Sequence, residues 1–178
     1  MEFRIAIITV FFSSTCLFVL CKPQPKKIPA DEKKKVSISD SALLDIVERQ
    51  TFQYFWNGAE PHSGMARERF HEDNPAYDKE VIASGGSGFG IMSILAAVHR
   101  NFVSRDSARE RLERMVHFLE TADRFHGAWP HWWNGETGKV RPFGKKDDGG
   151  DLVETSYLLQ GLLCARQFFK DGNQQEKD

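Results

Sequence analysis

Apolar and polar residues alternate with helical spacing in four segments of this chain. The first segment repeats its apolar positions every three or four residues, which predicts a helix from about residue 40 to 56. The same spacing predicts helices at 88–102, 105–124 and 151–169. The second and fourth segments are apolar on most sides, as buried helices are, whereas the third carries one narrow apolar stripe. The predicted fold is all-α, with helices in the order outer, inner, outer, inner, as in toroids built from helical hairpins.

The segments between these helices are rich in glycine and aromatic residues. A long irregular stretch at 57–83 is expected to be an ordered binding loop. The run Ser84–Gly90 has no strand before it and no lysine after it, so it predicts a tightly packed helix start rather than a phosphate loop. Two turn signals, Asn134-Gly135 and Thr137-Gly138, lie between aromatic flanks and predict a small β-hairpin.

Composition narrows the classes of function. The length of 178 residues favours one domain, and a net charge of −1 without a basic stripe gives no sign of a nucleic-acid partner. Four Trp and fourteen Phe are a heavy aromatic load for so short a chain. Aromatic rings build cores first, and they also stack on the faces of sugar rings.

The N-terminal sequence is typical of a targeting segment. Residues 1–21 contain an apolar run too short to span a bilayer, which predicts a signal peptide or lipoprotein leader, and a flexible Lys/Pro linker follows at 22–38. Export to the periplasm or the outer membrane is therefore expected. Lipidation at Cys21, lipidation at Cys16, simple cleavage and membrane attachment through the N-terminus all stay open. The domain is predicted at 39–171, with a polar tail at 172–178.

The cysteines indicate no disulfide framework. With two of the three in the leader, Cys164 is the one thiol of the predicted domain and is expected to be a small core residue. No Cys/His spacing is typical of zinc, and neither a metal nor a cofactor is expected.

One segment concentrates acidic residues before the fourth helix. Four carboxylates, those of Asp147, Asp148, Asp151 and Glu154, fall within eight residues. Asp151 and Glu154 are three apart and share one face of a helix. Acids in a first turn are ordinary helix-start residues, but so many like charges disfavour each other's ionised forms and are typical of catalytic sites. At this point Asp151 and Glu154 are either ordinary helix-start residues or members of a site in which a carboxyl proton has a function.

Four motifs occur in an order that resembles a known family. They are Thr51–Trp56, Gly64–Arg69, Ser84–Gly90 and Gly150–Ser156. Together they resemble the bacterial glucoamylase-like family, whose characterised members are endo-β-1,2-glucanases. A related domain occurs in cyclic β-1,2-glucan synthases. The resemblance covers about residues 39 to 169.

The resemblance implies an (α/α)6 toroid that hydrolyses β-glucan with inversion. Asp151 and Glu154 match the acidic pair of the family, Asp147 matches an upstream acid at the same cleft, and Arg67 matches a cleft position. An inverting pair stands roughly 6.5–9.5 Å apart, so two acids on one helix turn are expected to form the base side, with the acid supplied from elsewhere. We expect Trp132 and Trp133 to offer an aromatic surface near Asp151.

The sequence departs from the family in the number of helices. About four of the twelve toroid helices are present, which corresponds to an N-terminal third and is expected to leave a large apolar patch exposed. A truncated reading frame and one half of a split enzyme, completed by a C-terminal polypeptide, are both open. Two further alternatives are a non-catalytic carbohydrate-binding remnant and a helical interaction protein whose Trp residues lie in the core.

Overall fold

The computed structural model describes residues 37–172. The predicted leader, nearly all of the linker and nearly all of the polar tail lie outside the described residues. The described part contains α1 (Asp40–Trp56), β1 (Val81–Ala83), α2 (Ser84–His99), α3 (Arg105–Thr121), β2 (Trp132–Asn134) and α4 (Leu152–Phe169). Within residues 37–172, no helix combines the length and the hydropathy that a membrane crossing requires.

The four predicted helices are confirmed, and the start of each has a local cause. Ser39 caps α1 by accepting a hydrogen bond from the amide of Ala42. Ser104 caps α3 in the same way. The second helix begins at Ser84, four residues earlier than predicted, because the glycine run itself adopts the helical conformation.

The two inner helices, α2 and α4, pack side by side as predicted. A Cβ atom added to Gly88 would lie 2.2 Å from the carbonyl oxygen of Tyr157, and one added to Gly161 would lie 2.5 Å from the carbonyl oxygen of Gly88. Both distances are shorter than any real carbon–oxygen contact. The helices therefore approach each other through their backbones, at a separation that only glycine permits.

The outer helices cover the core from the other side. The apolar stripe of α3 is buried, and its members are Ala108, Leu112, Met115, Phe118 and Leu119. Helix α1 buries only Phe52, which stacks on Trp56 with ring centroids 5.6 Å apart. The first half of the α1 stripe is exposed, in contrast to the expected amphipathic packing of that helix.

The strands form a two-stranded antiparallel sheet in which Ile82 pairs with Trp133. The predicted hairpin is present as a bridge between Trp133 and Val140, but the regular partner of β2 is β1. The segment expected to be irregular up to residue 83 therefore ends in a strand. Its three residues are fully or almost fully buried, and a run this short carries no periodicity that the sequence could reveal.

The expected apolar surface is present on α4. The exposed fractions of Leu152, Val153 and Leu163 are 77%, 62% and 52%. Phe89 of α2 extends this surface, since its ring lies 5.3 Å from that of Tyr157. In the described part of the chain, each inner helix thus packs one face against the other inner helix and exposes apolar residues on another face.

We predict that Gly88→Ala destabilises the fold, because the new methyl group would force α2 away from α4. Overpacking of this kind costs about 1–3 kcal/mol of unfolding free energy. Gly86→Ala is the matched control in the same helix, since its Cβ would meet only the Cβ of Ala83 at an ordinary 3.4 Å. Urea denaturation of both variants measures the difference. Equal stability of the two variants would contradict close backbone packing at Gly88.

Candidate functional site

The site begins at the N-terminus of α2, where Glu154 reaches across from α4. The amide of Gly85 donates a 2.9 Å hydrogen bond to Oε2 of Glu154. The residue before α2, Ala83, makes no side-chain cap, so Glu154 satisfies a donor that its own helix leaves free. The carboxylate also lies at the positive end of the helix dipole. A Cβ at residue 85 would lie 2.3 Å from Oε2, so this contact requires glycine.

Asp151 is the N-cap of α4. Its Oδ1 accepts hydrogen bonds from the amides of Val153 at 2.9 Å and Glu154 at 3.0 Å. Its own amide donates to the carbonyl of Trp129 at 2.8 Å, which ties the start of α4 to the segment before β2. The helix-start interpretation of Asp151 is therefore correct, and its second carboxylate oxygen is turned toward another group.

That group is His131, which the sequence analysis did not single out. Its Nδ1 lies 3.4 Å from Oδ2 of Asp151, and its Nε2 lies 3.7 Å from Oε2 of Glu154. The imidazole stacks on the indole of Trp132 with centroids 3.6 Å apart and planes 14° from parallel. The sequence gives one hint of its role, its place between Pro130 and Trp132 in the aromatic segment. Spacing could not show the contacts themselves, because they join residues 20 or more positions apart.

Trp132 continues this surface away from the acids. Its indole is half-buried and donates a 2.7 Å hydrogen bond from Nε1 to Oε2 of Glu68. Glu68 is also paired with Arg69 at 2.9 Å. The ring of Phe143 meets the indole edge-on at 4.8 Å. Trp132 is thus joined to the acidic pair through the ring of His131.

The expectation that Trp133 offers an aromatic surface is wrong. Its side chain is fully buried, its ring meets Phe118 edge-on at 5.8 Å, and its Nε1 donates to the carbonyl of Asp123 at 3.1 Å. Successive side chains of a strand point to opposite faces, so β2 turns Trp132 toward the site and Trp133 into the core. Trp129 is likewise buried.

Arg67 lies on the far side of β1 from β2. Its backbone forms a bridge with Ile82, and its carbonyl accepts a 2.9 Å hydrogen bond from the hydroxyl of Tyr54. Burial raises the pKa of Tyr54, and the nearby carboxylate of Glu68 adds to the effect. Nε of Arg67 is buried without a hydrogen-bond partner among the described residues.

Asp147 lies in the loop before α4. Its side chain is half-buried, and its amide donates to the carbonyl of Gly144 at 3.2 Å. Its Oδ2 lies next to Gly144, where an added Cβ would meet it at 3.0 Å. The structure therefore brings together Asp151, Glu154 and Trp132, while Asp147 occupies the loop before them.

Asp123 anchors the hairpin that carries this site. Its carboxylate accepts hydrogen bonds from Nζ of Lys139 and from the amide of Val140, each at 3.0 Å. These donors hold the pKa of Asp123 below its ordinary value. Its amide donates to the carbonyl of Gly138 at 2.9 Å, so the turn is fixed from the end of α3.

The arrangement combines acceptors for hydroxyl protons with a flat aromatic surface. Two carboxylates, each fixed by backbone amides, lie beside stacked imidazole and indole rings. Among the described residues, no group of three or more His, Cys, Asp or Glu side chains is placed to hold a metal ion. This chemistry suits a polyhydroxylated ligand, whose hydroxyl groups donate to carboxylates and whose ring faces stack on indole.

Four helices in outer and inner order, with an acidic pair where an inner helix begins, form one part of an (α/α)6 toroid. An endo-β-1,2-glucanase from Chitinophaga pinensis, solved with sophorotriose and glucose, matches with a TM-score of 0.76 and 62% identity over 79% of this chain and 34% of that one. A β-1,2-glucanase from Parabacteroides distasonis matches with a TM-score of 0.73 and 49% identity over 79% of this chain and 20% of that one.

Sequence comparison agrees with the structural matches. An exo β-1,2-glucooligosaccharide sophorohydrolase of Parabacteroides distasonis is 51% identical over 141 residues, which are 79% of this chain and 19% of that protein. No protein-family model matches the chain. The chain is therefore homologous to one part of the glucoamylase-like β-1,2-glucanases, and it spans about a fifth of the curated relative it matches.

The two neighbouring Trp residues of β2 make a direct test of their opposite placement. We predict that Trp133→Ala lowers the free energy of unfolding by about 3–5 kcal/mol, the usual cost of removing a large buried ring. Trp132→Ala is the matched control, because it removes the same atoms from a half-buried position. Thermal and urea denaturation measure both. A larger loss for Trp132→Ala would contradict the assignment of Trp133 to the core.

Proposed function

We propose that this chain forms part of the substrate cleft of an exported β-glucan hydrolase that acts on β-1,2-linked glucan with inversion. One observation carries the proposal. The carboxylate of Glu154 is fixed at the entrance of an inner helix, beside Asp151, in a segment 62% identical to an endo-β-1,2-glucanase solved with sophorotriose. The carboxylate acceptors and the aromatic face of the site suit a carbohydrate ligand, and the names of the relatives support the same substrate class.

We assign Asp151 and Glu154 to the base side of the reaction. Inverting hydrolysis needs one carboxylate that takes a proton from the attacking water and one carboxylic acid that protonates the leaving oxygen. Backbone amides fix the carboxylates of both Asp151 and Glu154, so each oxygen that accepts from an attacking water has a set position. The acid then comes from a different carboxyl group across the cleft.

Sugar binding is assigned to Trp132, Arg67 and Asp147. The half-buried indole of Trp132 offers a stacking face, and stacking on an aromatic side chain is worth about 1–3 kcal/mol per base in nucleic-acid complexes. Arg67 is half-buried next to Glu68, and the N–H groups of its guanidinium are donors that sugar hydroxyls can accept. Asp147 adds an acceptor in the loop before α4.

The cellular setting is part of the proposal. The leader at 1–21 would direct export to the periplasm or the outer membrane, with lipidation at Cys21 or Cys16 as alternative anchors. The exposed apolar face of α4 suits contact with further helices, supplied by a complementary C-terminal polypeptide. Without those helices the cleft stays open to water, and we expect no measurable hydrolysis by the 178-residue chain alone.

A hybrid enzyme tests the assignment of the acids. Residues 39–171 would replace the homologous segment of the Chitinophaga pinensis endo-β-1,2-glucanase. We predict that the hybrid hydrolyses linear β-1,2-glucan and that Asp151→Asn and Glu154→Gln each lower the rate by about 10²–10⁴-fold. Both replacements keep an oxygen that accepts the amide hydrogen bonds, so the melting temperature should hold.

The matched control for the hybrid is Asp148→Asn, which neutralises an exposed acid three residues before Asp151. Its rate should equal that of the parent hybrid. Parental rates in the Asp151→Asn and Glu154→Gln hybrids would refute the catalytic assignment.

Retention on affinity gels tests sugar binding by the full chain without requiring hydrolysis. We predict that β-1,2-glucan in the gel slows the 178-residue chain and that Trp132→Ala abolishes the retardation, because the stacking face is lost. Tyr77→Ala is the control, since it removes an exposed ring in the loop before β1. Retention that survives Trp132→Ala would remove the indole from the proposed sugar site.

A further inference from the structure

We propose that His131 is a positioning residue, whose imidazole fixes the spacing of Asp151 and Glu154. The inference rests on the proposed function, because it concerns the same two acids. It extends that function by assigning a third residue, which neither sequence spacing nor helix geometry indicates.

The imidazole lies between the two carboxylates and turns one nitrogen to each. Nδ1 is 3.4 Å from Asp151 and Nε2 is 3.7 Å from Glu154. These are ion-pair distances, longer than an ordinary hydrogen bond of about 2.9 Å. An imidazole holds its two nitrogens at a fixed separation, so one ring can contact two acceptors at a set spacing. The ring therefore spans the gap between the two carboxylates, with one nitrogen toward each.

Ring stacking and backbone hydrogen bonds together fix the position of the imidazole. One face stacks on Trp132, whose indole N–H is bonded to Glu68. The carbonyl of His131 accepts a 3.0 Å hydrogen bond from the amide of Ser84, the first residue of α2. The hydroxyl of Ser84 is also within hydrogen-bond distance of the carbonyls of Pro130 at 2.8 Å and His131 at 3.2 Å.

The imidazole and Glu154 consequently share one anchor. Ser84 holds the backbone of His131, and the next residue, Gly85, holds the carboxylate of Glu154. The charged groups that face the ring are Asp151 and Glu154 from α4, with Glu68 behind the stacked indole. Consecutive residues of α2 thus fix both the backbone of His131 and the carboxylate of Glu154. The other nitrogen of the ring reaches Asp151, so the ring sets the position of Asp151 relative to Glu154.

Spacing of this kind matters for catalysis. A displacement of a reacting group by about 1 Å can cost on the order of 10²-fold in rate. The backbone amides hold each carboxylate separately, whereas His131 contacts both acids through one rigid ring. A positioning role therefore predicts an effect on kcat with little effect on KM.

Three substitutions separate positioning from simple packing. His131→Phe keeps a flat ring against Trp132 and removes both nitrogens. His131→Asn places an amide nitrogen near the position of Nδ1, and His131→Gln places one near the position of Nε2. In the hybrid enzyme we expect His131→Phe to lower kcat at least tenfold with KM within twofold, and the two amides to recover part of the loss. Full kcat in His131→Phe would overturn the proposal.

A double-mutant cycle in the 178-residue chain tests the contact independently of hydrolysis. We expect His131→Phe to raise the unfolding equilibrium constant several-fold in the parent chain. The increase should be at least twofold smaller when Asp151→Asn or Glu154→Gln is already present. Strictly additive effects in both backgrounds would overturn the proposal. Coupling observed together with an inactive parent hybrid would support the His131 contact and refute the hydrolase assignment instead.

Discussion

The backbone contact between α2 and α4 is the constraint on which the rest of this structure depends. Gly88 and Gly161 remove the side chains that would hold the two inner helices apart. At this separation, the side chain of Glu154 is long enough to reach the amide of Gly85 at the start of the neighbouring helix. The same close approach thus builds the core and places the carboxylate, so stability and site geometry cannot be changed separately here.

The first turn of α2 organises the remaining site residues. Ser84 binds the carbonyls before β2, which sets where His131 and the strand begin. Strand alternation then turns Trp132 toward the acids and Trp133 into the core. On the opposite side of the strand, Asp123 fixes the hairpin turn through Lys139 and Val140. The first turn of α2 therefore positions both the aromatic surface and the acidic pair.

Local patterns predicted the helices and the acidic pair, because both follow from spacing along one segment. Asp151 and Glu154 meet at the start of α4 because one is its N-cap and the other lies in its first turn, and the four apolar segments define helices without knowledge of their partners. The role of Trp133 was predicted wrongly, since two adjacent Trp residues look alike until the strand register is known. Strand β1 is too short for periodicity, and its pairing is non-local. His131 was missed because its partners lie on another helix and meet it only after folding.

The apolar face of α4 is exposed in a chain that covers 34% of the Chitinophaga pinensis enzyme. Leu152, Val153 and Leu163 present apolar surface on the helix that carries Glu154. Under the proposed function, the site would be one wall of a cleft, and sugar binding is then expected even where hydrolysis is absent.

The most direct measurement is an NMR titration of the isotopically labelled 178-residue chain with β-1,2-linked glucooligosaccharide. The account predicts saturable shifts of the Gly85 amide, the Glu154 amide and the Trp132 indole N–H, with the Trp133 indole N–H unchanged. Saturable shifts confined to α3, or no shift at these three groups at saturating sugar, would contradict a sugar site at the start of α2.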